Sequence, residues 1–143
     1  MGTRSTIALQ NIENFYVTSI YCHWDGYLDH VGKLLLTHYN SESRVKELLA
    51  LGNVSSLGPT LGEKHDFNIR NEWATTFYGR DRGETEQEAV AYASVEDWLR
   101  EGCQEYNYLF VPGYGWKVAY RDTENRLVSL SQAIAEEEER DRR

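Results

Sequence analysis

The sequence predicts a single α+β domain over residues 1–130, with an antiparallel sheet of about five or six strands and two or three helices packed mainly on one face. Segments with strand character and segments with helical periodicity occur in separate runs, which differs from the strict alternation of βαβ proteins. The 143 residues suit one domain. A hydrophobic content of 41% with only two prolines is atypical of a disordered chain.

The N-terminal part is expected to form a β-hairpin followed by two helices. Residues 3–9 and 15–22 are rich in β-branched and aromatic side chains and flank a turn-like stretch. Apolar residues then recur three to four positions apart over 28–39, which predicts a helix. Ser41 is a suitable N-cap for a second helix, and Gly52 a suitable end.

The middle of the chain predicts irregular structure and a short strand pair. Residues 53–67 contain two glycines and a proline, which indicates an irregular connection. Residues 73–78, WATTFY, have strand character, and GRDRGE at 79–84 is expected to be a polar turn. A short return strand is expected around Val90.

The C-terminal part predicts a helix, a hairpin and a tail. Ser94 followed by acidic residues is a capping signature for a third helix, which Gly102 ends. Residues 106–111 and 116–120 flank PGYG and form the clearest hairpin in the chain. After a polar turn, the chain is expected to form a final strand end or helix. Residues 131–143 that follow are an acidic tail expected to fray.

The chain carries 23 acidic and 15 basic residues, a formal net charge of −8. Because cationic side chains drive binding to nucleic acid and to anionic membranes, this charge disfavours both and favours a basic protein surface as partner. Cys22 and Cys103 form no C-x-x-C motif, as expected for a reduced intracellular protein. Without a signal peptide or an apolar run of membrane length, the predicted location is the cytoplasm.

The stretch YCHWDGYLDH at 21–30 raises the hypothesis of a metal site formed by Cys22, His23, Asp25 and His30. Alternation along a strand, however, points residues 22 and 23 to opposite faces of a sheet. The next histidine, His38, follows at i,i+8, whereas two imidazoles that share a metal on one helix are spaced i,i+4. The sequence therefore predicts that the protein binds neither a metal nor a cofactor.

A structural interpretation of this stretch fits better. Asp25 is expected to cap the helix that begins near Tyr27 by accepting its free backbone N–H groups, and Gly26 permits the sharp turn. His23 and Lys33 flank the predicted helix start, so a small anion is an alternative occupant of this corner. No phosphate-binding loop of the G-x-x-x-x-G-K-[ST] type is present, and nucleotide hydrolysis has no support.

The stretch FYGRDRGE is the second candidate site. Arg80 and Arg82 flank Asp81, and such a loop can present guanidinium groups to phosphate or carboxylate. The alternative is a solvated turn in which Asp81 pairs with its own neighbours. Convergence of Arg4, Lys33, Arg80 and Arg82 in the fold would favour a small anionic ligand.

The aromatic residues are the third feature. Ten tyrosines and four tryptophans exceed what a core of this size requires. Tyr114 and Trp116, in the last hairpin, are predicted partner contacts because such side chains anchor protein interfaces. Core packing and a homodimer formed through this hairpin are the alternatives. With no G-x-S-x-G elbow and no cysteine in a catalytic context, the sequence predicts a protein that is not an enzyme.

Several of these stretches together resemble a family of small proteins encoded by tailed bacteriophages and prophages. They are TRSTIA, IYCHWDGYLDHVGKLLLTHY, VKELLALGNVSSLG, FYGRDRGE and YNYLFVPGYGWKV, and the similarity covers about residues 3–120. The resemblance implies the cytoplasm of a bacterial host, and it supplies no catalytic residues. Small acidic phage proteins of this kind often resemble host-takeover or anti-defence proteins, including anti-CRISPR proteins.

The leading expectation is a non-enzymatic phage protein that binds and inhibits a bacterial host protein, such as a nucleic-acid-handling defence complex. Acidic side chains would steer the encounter, and exposed aromatic side chains would anchor it. The rival is a small-ligand binder, such as a sponge for a nucleotide signal, that uses the basic residues near His23, Lys33, Arg80 and Arg82. A metal-dependent hydrolase is the third and weakest alternative.

Overall fold

The computed structural model describes residues 2–69 and 71–142, so Met1 and Arg143, the outer ends of the predicted domain and tail, lie outside the described residues. These residues contain eight strands: β1 (Ser5–Gln10), β2 (Val17–Cys22), β3 (Val54–Ser56), β4 (Thr76–Phe77), β5 (Val90–Tyr92), β6 (Tyr106–Val111), β7 (Gly115–Tyr120) and β8 (Val128–Ser129). They form one sheet in the order β4-β3-β2-β1-β6-β7-β8, with β5 also paired to β2. The predicted α+β class is confirmed.

The sheet corrects the prediction in size and direction. It is larger than the five or six strands expected, and it is mixed: β1 pairs antiparallel with β2 but parallel with β6, and β2 pairs parallel with β3. β3, β4, β5 and β8 have only two or three residues each, which is too short for a recognisable alternation. The β1–β6 pair joins distant segments, since the side chains of Thr6 and Asn107 hydrogen-bond at 2.9 Å across a separation of 101 residues.

The described residues contain five α-helices, against the two or three expected. They are α1 (Lys33–His38), which continues a π-helical turn over Leu28–Gly32, α2 (Glu42–Ala50), α3 (Tyr78–Arg82), α4 (Val95–Glu101) and α5 (Leu130–Asp141). The predicted N-caps are confirmed: Ser41 Oγ accepts from the Arg44 N–H at 3.3 Å, and Ser94 Oγ accepts from the Asp97 N–H at 3.0 Å. Gly52 follows α2 with a positive φ of 84°, as a C-terminal glycine often does.

Residues 79–82 of the segment 79–84 are helical, which corrects the predicted polar turn. α3 is a single turn that follows β4 directly and ends at Gly83, whose φ is 73°. The Phe77 N–H at its start donates to Asp81 Oδ2 at 2.8 Å. One turn carries too few residues to show a helical period in the sequence, which explains the miss. The strand after it, β5, pairs with β2 and does not return along β4.

The helices lie on both faces of the sheet. On one face, α1, α2 and α5 bury a large core that includes Ile7, Leu35, Leu48 and Ile134. On the other face, α4 covers a smaller core of four buried residues, Ala8, Val17, Trp98 and Leu109. Alternation along the strands explains this division, because Ile7 and Ala8 of β1 point to opposite faces.

The acidic C-terminal segment, 131–143, which was expected to fray, lies largely in α5. Leu130, Ala133 and Ile134 of this helix are buried. Lys33 Nζ on α1 lies 3.0 Å from Glu138 Oε1 on α5, and the two helices are thereby linked at the surface. No helix within 2–69 or 71–142 is long and apolar enough to cross a membrane.

Candidate functional site

Arg80 is the centre of a buried polar network. Its Nε donates to Asp81 Oδ1 at 3.0 Å and its Nη2 to Asp81 Oδ2 at 3.2 Å. Three further bonds reach the backbone carbonyls of Leu61 at 2.8 Å, Gly62 at 3.0 Å and Thr75 at 2.9 Å. Because a guanidinium has five N–H groups, this set uses its full donor capacity. Arg80 is therefore committed to the fold and is not available to a ligand.

Asp81 receives the other half of this network. Its side chain is fully buried and accepts from the backbone N–H groups of Phe77 at 2.8 Å and His65 at 3.0 Å. Burial opposes ionisation, but the hydrogen bonds from Arg80, Phe77 and His65 outweigh it and lower the pKa of the carboxyl group. The ionised Asp81 thus ties the loop 57–75 to β4 and α3.

His65 closes the network and was not singled out from the sequence. Its Nδ1 lies 3.1 Å from the carbonyl oxygen of Glu63, and its Nε2 lies 2.9 Å from Thr76 Oγ1. Since a carbonyl only accepts, Nδ1 donates to it, and in the neutral imidazole Nε2 then accepts from the hydroxyl. Asp81, His65 and Thr76 are thus in the order of a hydrolytic triad, but Nδ1 and Asp81 Oδ1 are 3.8 Å apart and Thr76 is buried. These three side chains therefore hold the loop between β3 and β4 in place and do not form a catalytic triad.

Three of the four basic residues whose convergence would favour an anionic ligand, Lys33, Arg80 and Arg82, are engaged with different partners. Arg82 donates through Nε to Glu84 at 2.6 Å, and its guanidinium lies 4.2 Å from the Phe67 ring centroid. Lys33 lies 2.6 Å from Asp29 and also contacts α5. These contacts share no residue with those of Arg80. The geometry therefore gives no support to an anionic ligand held by this set.

The corner around 21–27 is held mainly by structural contacts. The Tyr21 hydroxyl and His23 Nδ1 are 2.7 Å apart, and the His23 ring meets the edge of Trp24 with a centroid distance of 4.7 Å. The predicted capping role of Asp25 is wrong, because Tyr27 occupies the N-cap position and no side chain caps this helix. Asp25 instead has a positive φ of 56° and offers its main-chain carbonyl to the Val31 N–H at 3.3 Å.

The two thiols differ in their surroundings. Cys22 is fully buried, and burial raises the pKa of its thiol to about 12, whereas Cys103 is exposed. In 2–69 and 71–142, no three histidine, cysteine or acidic side chains are grouped as metal ligands would be. The metal interpretation of 21–30 thus has no geometric support in this part of the chain.

Native protein treated with the thiol reagent DTNB at mildly alkaline pH is expected to release a single equivalent of thiolate, because only a thiolate reacts and Cys22 stays protonated and covered. Under denaturing conditions a second equivalent is expected. The variant Cys103→Ser should show no rapid reaction when native. Rapid labelling of Cys22 in that variant would contradict the burial described above.

The two predicted aromatic contacts have opposite environments. Tyr114, at the tip of the β6–β7 hairpin, is 83% exposed. Trp116 is only 4% exposed, packs against Phe110, and donates through Nε1 to the Tyr39 carbonyl at 3.0 Å. Trp116 is therefore a core residue, which corrects its assignment as a partner contact.

A cleft with exposed aromatic side chains lies between the β2–α1 corner and the loop 57–75. It consists of two adjoining hollows of about 640 and 420 Å³, which share Ile69, Asn71 and Glu72. Around them lie four large apolar side chains that define what we call the aromatic cleft: Trp24, Phe67, Ile69 and Trp73. Trp73 is 77% exposed, Ile69 64% and Trp24 43%. Sequence patterns placed Trp73 in a strand and gave no signal for the cleft.

The fold and this site define the protein as an acidic α+β domain with a surface cleft lined by aromatic side chains. No protein-family model, curated protein or solved structure matches the chain.

Proposed function

We propose that the chain is a non-catalytic binding protein that attaches to a bacterial host protein through the aromatic cleft and inhibits it. The observation that carries the proposal is the exposure of Trp73, Ile69 and Trp24 around one concave surface. Exposed apolar groups that share a cleft are typical of interaction sites, and tryptophan is enriched among the residues that dominate binding energy.

The backbone beneath these side chains supports the proposal because it is fixed. The Trp73 N–H donates to Asn71 Oδ1 at 2.9 Å, and the Trp73 carbonyl accepts from Thr60 Oγ1 at 2.6 Å. The Trp24 N–H donates to the Ser55 carbonyl at 3.0 Å. A side chain presented from an ordered backbone loses less conformational entropy on binding, so it contributes more of its contact energy to affinity.

The charge suggests which partners the cleft meets. A net charge of −8 attracts basic protein surfaces and repels nucleic acid, so a nucleic-acid-handling protein with a cationic groove is a suitable target. The resemblance of the sequence to phage proteins supports an encounter in an infected bacterium. We propose a defence protein of the host as the target class.

Immobilised wild-type protein and the variants Trp73→Ala and Tyr114→Ala are expected to differ in what they retain from a bacterial lysate. Wild type and Tyr114→Ala should retain the same protein in stoichiometric amounts, while Trp73→Ala should bind it roughly thirtyfold more weakly, as a loss of about 2 kcal/mol gives. Both residues are exposed aromatics, so Tyr114→Ala is the matched control. Loss of capture by Tyr114→Ala alone would assign binding to the hairpin tip and overturn the proposed site.

The proposed inhibition of the host protein is tested separately from binding. The retained protein is purified and its activity is measured with an equimolar amount of wild type or of Trp73→Ala. Loss of activity with wild type alone supports inhibition through the cleft. Unchanged activity with wild type would show a binding protein that does not inhibit.

A further inference from the structure

A second concave surface lies at the opposite end of the β1–β2 hairpin from the aromatic cleft. It is a groove of about 800 Å³ between the β1–β2 turn, α2 and the segment before β5. We call it the acidic groove, because apolar side chains and three glutamates line it; they include Leu9, Leu49, Glu13, Glu42 and Glu88.

The floor of the acidic groove is apolar. Leu9 and Thr18 are directly paired across β1 and β2, and their side chains lie on the face of the sheet that α2 covers. Leu49 of α2 and Ala89 add to this floor, and Ile12 on the β1–β2 turn is 57% exposed beside it. A ligand with aliphatic side chains would remove this surface from water.

The rim of the acidic groove is negative. Glu42 is compensated, because its Oε2 lies 3.0 Å from Lys46 Nζ one helical turn away. Glu13 and Glu88 are exposed, and within 2–69 and 71–142 neither carboxylate has an ion-pair partner. The groove therefore combines an apolar floor with two uncompensated carboxylates on its rim.

We infer that the acidic groove binds a short segment of another protein that carries aliphatic side chains next to lysine or arginine. Cations on the segment would meet Glu13 and Glu88 while its aliphatic groups cover the floor. Nucleic acid and acidic segments are repelled by the same carboxylates, and a second copy of this chain carries the same net charge of −8. The size of the groove suits a segment and not a folded domain.

The test uses a fluorescein-labelled synthetic peptide of alternating leucine and lysine, with binding followed by fluorescence anisotropy. Ala50 is exposed on α2 within the groove, so Ala50→Arg adds bulk and positive charge to the groove while the new side chain stays in contact with solvent. Ala135→Arg makes the same change at an exposed position of α5. Ala50→Arg is expected to weaken binding at least tenfold, and Ala135→Arg is expected to leave it unchanged. Equal affinities of the two variants would overturn the inference.

Further peptides and variants test the chemistry of the segment. A peptide with glutamate in place of lysine and a peptide with serine in place of leucine should both fail to bind. Tight binding of either peptide would contradict the inference. Binding of a labelled single-stranded RNA would contradict it as well. Glu13→Gln with Glu88→Gln should weaken the leucine–lysine peptide about fivefold at low salt. The double variant Glu96→Gln with Glu101→Gln, on the other face of the sheet, should bind the peptide with wild-type affinity. An equal loss of affinity in this control would show nonspecific attraction.

The inference stands apart from the function proposed for the aromatic cleft. Trp73→Ala should bind the leucine–lysine peptide with wild-type affinity, because Trp73 lies at the other end of the hairpin. If Trp73→Ala loses the bacterial target but keeps the peptide, both conclusions hold. Loss of the peptide in Trp73→Ala would contradict a separate groove.

Discussion

The variant Arg80→Ala is expected to lose about 3–5 kcal/mol of unfolding free energy, because removing one partner of a buried ion pair leaves the other charge uncompensated. The stranded groups are the carboxylate of Asp81 and the carbonyls of Leu61, Gly62 and Thr75. A small domain has a total stability of about 5–15 kcal/mol, so this variant should lose a large fraction of its stability and unfold at a much lower urea concentration than wild type. Residues 57–69 and 71–75 should lose their fixed position as well.

Urea denaturation followed by far-UV circular dichroism measures this loss, and Arg82→Ala is the matched control on the same helix. Arg82 is exposed, and its ion pair with Glu84 and its contacts with the Phe67 and Tyr78 rings are surface interactions that contribute about 0–1 kcal/mol each. Arg82→Ala should therefore retain nearly the wild-type midpoint. Similar midpoints for the two variants would contradict the structural role assigned to Arg80.

The variant Trp98→Ala is expected to lose about 3–5 kcal/mol, the usual cost of removing a large aromatic side chain from a core. Trp98 is the largest member of the small core beneath α4, and its Nε1 donates to Ser19 Oγ at 3.1 Å. No other tryptophan lies in this core. The cavity left behind cannot be refilled by Ala8 or Val17, which are small residues fixed in the sheet.

Trp73→Ala makes the same chemical change at an exposed position and should alter stability by no more than about 0.5 kcal/mol. Urea midpoints of the two tryptophan variants, measured with the same far-UV signal, give the comparison. A loss in Trp73→Ala as large as in Trp98→Ala would show that the aromatic cleft is part of the core. It would also remove the exposed anchor on which the proposed function depends.

Local sequence patterns were informative where an element depends on its own residues. The caps at Ser41 and Ser94 and the two hairpins were predictable, because capping and tight turns involve residues only a few positions apart. The helix α3 was not predictable, since its single turn depends on the hydrogen bond between Asp81 and the backbone N–H of Phe77. The parallel pairing of β1 with β6 depends on residues so far apart that local patterns carry no information about it.

The candidate site was harder to predict for the same reason. Arg80 and Trp116 have the chemistry of binding residues, but tertiary contacts bury both of them. Trp73 sits in a stretch with strand character, yet the ordered loop around it turns its ring to solvent. Exposure is a property of the whole fold, and residue type alone predicts it poorly for tryptophan and arginine.

The position of β1 has a consequence for how the protein is made. β1 is synthesised well before β6, yet it lies in the middle of the sheet, between β2 and β6. Until β6 has been synthesised, one edge of the β1–β2 hairpin keeps its backbone groups unpaired, and such an edge can recruit strands from neighbouring nascent chains. Closing the long β1–β6 loop is also entropically costly and slows folding. The repulsion between acidic chains counteracts self-association during this interval.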